Sequence, residues 1–170
     1  SFPGETMAVR MTTDGSSPNI LLVAGYKRFS DHYVSPYYYD SKNGNSRRVW
    51  PHLINKFTYT VQHGQAMMYN GYYFDCASNE CVIDGSVTLG NYAAVDWILG
   101  RENTIDETFN STEQTLVTNY LNAGGRIMVS AEELGWDLEL SSSATTSDTD
   151  FLHNTLQVQA AADDGSTNNI

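Results

Sequence analysis

The feature that most constrains the fold is a set of short apolar runs that do not alternate with polar residues. "NILLVAG" (residues 19–25), "YYFDCA" (72–77), "YAAVDWILG" (92–100) and "RIMVSA" (126–131) each read as a strand. Strands of this kind are buried on both faces, so a layer must lie above and below them. The segments between them read as helical. "NKFTYTVQHGQAMMYN" (55–70) stops at Asn70-Gly71, although Gly64 and several β-branched residues weaken the pattern. "NECVID" reads as a short helical turn. In "NSTEQTLVTNYLNAGG", Asn110 can cap a helix with Glu113 three residues on, and Leu116, Val117, Tyr120 and Leu121 share one face. Residues 141–150 read as a polar loop and "DFLHNTLQV" as a short helix or strand; no internal repeat is visible.

Strand and helix in alternation, joined by right-handed crossovers, predict an α/β fold. It would be a doubly wound, mostly parallel open sheet in a three-layer, flavodoxin-like sandwich. Residues 1–18 read as an extension or linker and 19–170 as the α/β domain. Ligands of such sheets bind beyond the carboxyl ends of the strands, where the strand order reverses. In a flavodoxin-like order, "AGYKRF", "LGRENT" and "SAEELGW" would meet there.

Charge narrows the partners. Of the net −11, residues 1–56 carry net +3 and residues 57–170 net −14. Such a surface repels phosphate backbones and argues against nucleic acid. No run of about 18 apolar residues is present, so no membrane span is expected. The opening "SFPGETMAVRMTTDG" lacks the pattern of a signal peptide, so any such segment is expected to have been removed already. Low lysine content beside abundant Ser, Thr, Asn, Gly and Tyr suggests an extracellular or cell-surface location. Cys76 and Cys81, five residues apart, could close a small disulfide loop in an oxidising compartment. The alternative is two reduced, partly buried thiols.

Several side chains are candidates for chemistry. Glu132, at the turn after the fourth strand, could act as a base or nucleophile, or could simply meet the positive end of a helix. Glu102 and Asp137 could join it, and Trp136 could face the same cleft. No cofactor is predicted, but carboxylates converging there, with Asp148 and Asp150 from the polar loop, could hold a hard cation such as calcium. Lys27 and Arg28 could grip a ligand carboxylate or pair with Glu102 or Glu132. Tyr37 and Tyr38, in the aromatic loop "DHYVSPYYYD", could present a surface for sugars or proteins, or could roof the core. Ser130 lacks a G-x-S-x-G setting. His32, His52, His63 and His153 are scattered, and only His153 is late enough in the chain for a triad. Asn110-Ser111-Thr112 is a glycosylation sequon in form.

The run "YAAVDWILGRENTIDETFNSTEQTLVTNYLNAGGRIMVSAEELGWDLE", preceded by "FDCASNECVIDG", resembles a domain of secreted bacterial multidomain proteins. These are labelled xanthan-lyase-like or N-acetylmuramoyl-alanine-amidase-like, and carry fibronectin type III and golvesin-like modules. The domain looks like a member of the class I glutamine amidotransferase-like superfamily. The likeness spans roughly residues 19 to 164 and is densest over 74–138. It implies an oxyanion-type loop at Gly100 and Arg101. It places the nucleophile position, a cysteine in active members, at Ala131 or Glu132. It also implies further strands beyond Ile170, which would make this a truncated copy, and a histidine and an acid from that later part.

Neither Ala131 nor Glu132 can act as a thiolate, so the resemblance implies a degenerate elbow. The expectation is an extracellular, non-catalytic amidotransferase-like module that binds or assembles within a larger secreted or envelope protein. Its partners would be neighbouring domains, other copies of itself or carbohydrate. The alternatives are a carboxylate- or metal-assisted hydrolase of a glycan or peptidoglycan-related substrate, and a structural subunit of an extracellular assembly.

Overall fold

The computed structural model describes residues 18–26, 37–40, 45–48, 58–100 and 107–162. Its centre is a four-stranded, wholly parallel sheet formed by β1 (Ile20–Ala24), β4 (Phe74–Ser78), β5 (Ala94–Gly100) and β6 (Ile127–Ala131). The order is β4-β1-β5-β6, the reversal expected of a flavodoxin-like sheet, with the switch between β1 and β5. A separate antiparallel ribbon joins β2 (Tyr37–Asp40) to β3 (Asn45–Arg48), pairing Tyr37 with Arg48 and Tyr38 with Arg47. Tyr37 and Tyr38 thus lie on a strand rather than in the loop expected for them.

The helices fall on both faces, as a buried parallel sheet requires. α1 (Thr58–Tyr69) covers one face, where Leu22, Ala24, Phe74 and Ile98 pack with Tyr26 and, from the helix, Tyr59 and Met67. α2 (Asn79–Ile83) and α3 (Ser111–Asn122) cover the other. There the larger core gathers Leu21, Val23, Trp97 and Leu99 with Phe109, Val117 and Tyr120. Phe109 packs against both Trp97, in a tilted contact, and Phe151, edge to face, with ring centroids 5.1 and 5.3 Å apart.

One local expectation holds and another is corrected. Asn110 and Glu113 form the capping box at the start of α3. Glu113 is fully buried there, and Asn79 Nδ2 also donates to it at 2.7 Å. The stretch expected to be a polar loop instead contains α4 (Thr146–Asp150), capped by a Thr145–Asp148 box. Two π-helical turns, Trp136–Leu140 and Phe151–Thr155, flank it, and their Leu138, Phe151 and Leu152 enter the larger core. The burial of these three apolar residues overrides the weak helical signal of a Ser/Thr-rich stretch.

Gly64 also has a physical reason. A Cβ built there would stand 2.5 Å from Phe74 Cζ, so the glycine lets α1 lie directly on the buried ring. Helix propensity alone would make Gly64→Ala stabilising by about 1 kcal/mol. Overpacking against Phe74 reverses the sign. Gly64→Ala is expected to lose about 1–2 kcal/mol in urea unfolding, whereas an unchanged or raised midpoint would show that α1 is not seated this closely.

Candidate functional site

The carboxyl ends of β5 and β6 meet in a cleft of about 400 Å³, lined by Tyr59, His63, Ile98, Gly100, Ser130, Ala131 and Glu132. Gly100, with φ 58°, occupies the left-handed region that favours glycine, and its carbonyl accepts the Glu132 N–H at 2.9 Å. That bond fastens the two strand ends together and holds the elbow. Residues in register on neighbouring strands face the same side, so Ser130 accompanies Ile98, and Met128 accompanies Asp96. Met128 is 54 % exposed on that face. The layer made by α1 therefore stops over β5 and leaves β6 open, which is what creates the cleft.

The dominant polar feature of this face was not singled out in the sequence. Asp96 sits mid-strand in β5 with only 3 % of its surface exposed, between buried Val95 and Trp97. Its Oδ2 lies 2.7 Å from Nδ1 of His63, which reaches down from α1. Burial holds the Asp96 carboxyl above the usual carboxylate range, and the hydrogen bond and charge of His63 offset this only in part. Asp96 Oδ1 is buried without a hydrogen-bond partner, so the imidazole carries the carboxylate's side-chain hydrogen bonding. His63 is 26 % exposed on the cleft wall. The one signal in the sequence was the acid inside an otherwise apolar run, "YAAVDWILG"; nothing local marks His63 as its partner.

The predicted site residues divide. Glu132, Ala131 and Gly100 lie together at the cleft. Asp137 does not join them. It is buried elsewhere, where its Oδ2 accepts from the Thr108 N–H at 2.7 Å and the Thr108 hydroxyl at 2.8 Å. Those bonds fasten the π-helical turn to the segment leading into α3, a structural use that removes the carboxylate from chemistry. Trp136 is likewise absent from the cleft lining. Asp148 caps α4 and accepts from Gln114 Nε2 at 2.7 Å. Burial acts against its ionisation, but the bonds from Thr145 and Gln114 prevail and hold its carboxyl below the usual range. Asp150 lines a separate groove against α3. Among the described residues, no three His, Cys, Asp or Glu side chains gather as a cation site. His153 Nε2 lies 2.9 Å from Glu139 Oε1, within ion-pair reach but off the hydrogen-bonding line, and away from the cleft. Lys27, Arg28, Arg101 and Glu102 lie outside the described residues.

The cysteines also depart from the expected pairing. Both are free thiols, and they belong to different cores. Cys76 packs with the α1-side cluster, and Cys81 with the cluster on the opposite face. Ser78 Oγ donates to Cys81 Sγ at 3.7 Å. Joining the sulfurs would require one to leave its cluster. Burial pushes the Cys76 thiol up to about 12, which keeps it protonated and inert at neutral pH. Cys76 is therefore expected to resist iodoacetamide at pH 8 in the native protein and to react fully in denaturant, as read by intact mass. A mass two hydrogens short under non-reducing conditions would contradict the free-thiol arrangement.

Comparison with known proteins adds no relative: no family model, no curated protein and no solved structure matches the chain.

Proposed function

We propose that this domain is an amidotransferase-like module of a secreted or cell-surface protein, without the thiol chemistry of that superfamily, and that it acts by binding a ligand in the β5–β6 cleft. The observation that carries this reading is the elbow itself, where Ala131 ends β6 and Glu132 follows it on the cleft wall. The position at which the resemblance calls for a cysteine offers no sulfur, and both cysteines of the chain sit on or beside β4. The cleft supports binding rather than amide transfer in its composition as well. Tyr59 and Ile98 supply an apolar wall, while His63, Ser130 and Glu132 supply hydrogen-bonding groups. That mixture suits a small neutral polar ligand such as a sugar, because a chain of net charge −11 disfavours anions. The competing reading, carboxylate-assisted hydrolysis by Glu102, Glu132 and Asp137, loses support because Asp137 is committed to Thr108.

Titration of isotope-labelled protein with neutral oligosaccharides and peptidoglycan fragments tests the proposal. Amide shifts are expected at Tyr59, His63, Gly100 and Ser130, with no ammonia released from glutamine. Glutamine-dependent ammonia release that survives purification would contradict it, as would shifts confined to another surface.

A further inference from the structure

His63 and Ser130 come from α1 and β6 and line one cleft, with Asp96 of β5 buried behind His63. Asp96 engages His63 through Nδ1 at 2.7 Å; with the carboxyl ionised, this contact favours the neutral tautomer protonated at Nδ1 and leaves Nε2 to accept a proton. The carboxylate that does this is buried, and its second oxygen has no hydrogen-bond partner, so it is not diverted to other donors. Ser130 lies on the wall that His63 shares, one strand away and one pleat beyond the position in register with Asp96. A carboxylate on Nδ1, with a serine hydroxyl lining the same cleft as the imidazole, is the grouping from which a hydroxyl nucleophile can be activated once a substrate draws the two together. Sequence order obscures it, because His63 precedes Ser130 by 67 residues and no G-x-S-x-G surrounds the serine.

We propose that the cleft is an acyl-transfer site acting on short, neutral acyl esters, with Ser130 as nucleophile, His63 as its general base and Asp96 positioning His63. This rests on the cleft being the ligand site and adds a reaction to it. Ser130 Oγ attacks the ester carbonyl as its proton passes to His63 Nε2. The bond from the carbonyl carbon to the alcohol oxygen then breaks, and the alcohol leaves with the proton from Nε2. Water repeats the two steps on the acyl-serine, giving back Ser130 and releasing the carboxylic acid. Tyr59 and Ile98 form the apolar wall available to the acyl chain, and the net negative charge of the chain selects against charged acids.

The test uses the full chain with a fluorophosphonate probe, followed by intact mass and peptide mapping, alongside release of nitrophenol from p-nitrophenyl acetate. One phosphonyl adduct on Ser130 is expected. It should be absent in Ser130→Ala and slowed about 100-fold or more in His63→Ala, the range of general-base catalysis. Asp96→Asn should lower the maximal labelling rate while leaving probe affinity unchanged, a split that simple loss of folding would not give. Melting curves verify that each variant is folded. No adduct on the parent protein, or an adduct that persists in Ser130→Ala, overturns the proposal. Ligand-induced shifts in the cleft without any adduct overturn the acyl-transfer step alone and leave the binding reading standing. Absence of both overturns the two together.

Discussion

A carboxylate buried in the middle of β5 is the constraint around which this fold is arranged. An unpaired ionised Asp96 in that position costs several kcal/mol, so a partner has to be brought to it. α1 supplies His63, and the 2.7 Å contact fixes where along the sheet the helix lies. Gly64, next in the chain, lets the same helix settle on Phe74. Between them, one polar contact and one close apolar contact set the position of the layer. A helix held over β1 and β5 leaves β6 uncovered, and the cleft is the space that remains.

The elbow after β6 then receives its shape from the other side. The Gly100 carbonyl takes the Glu132 N–H, and glycine allows the left-handed backbone found at the end of β5. Ala131 and Glu132 are thus displayed at the position where doubly wound sheets place their ligands. The carboxylates that sequence spacing suggested might assemble there are instead spent on the opposite layer. Asp137 ties down Thr108, and Asp148 caps α4. Asp148 is claimed locally, by the N–H and hydroxyl of Thr145 three residues before it, whereas Asp137 is claimed across 29 residues by the N–H and hydroxyl of Thr108.

Much of the architecture was legible because it depends on local signals. Non-alternating apolar runs specified buried parallel strands, and Asn110 with Glu113 marked the start of α3. The helical character of residues 146–155 was less visible. It arises from burial of Phe151 and Leu152 against a distant core, and short-range propensity in a Ser/Thr-rich stretch opposes it. The site was legible only in part. The address at the β5 and β6 ends follows from topology, and topology follows from pattern. The pairing of His63 with Asp96 spans 33 residues and two layers, so no periodicity reports it. Only the anomaly of an acid within an apolar strand pointed to it. The same limit applies to Cys76 and Cys81, whose spacing suggested a loop while the sheet between them sends them to opposite faces.

The central claim, that His63 and Asp96 act as one unit seating α1 and shaping the cleft, is tested most directly by a double-mutant cycle. His63→Leu, Asp96→Val and the double variant would be compared with the parent by urea unfolding. Each single change leaves a polar partner stranded, and the double change removes both. The account expects the double variant to be more stable than the sum of the singles by about 1.5–3 kcal/mol, the range for a hydrogen bond to a charged group. Additivity within about 0.5 kcal/mol would mean that the two residues do not depend on each other, and would contradict it.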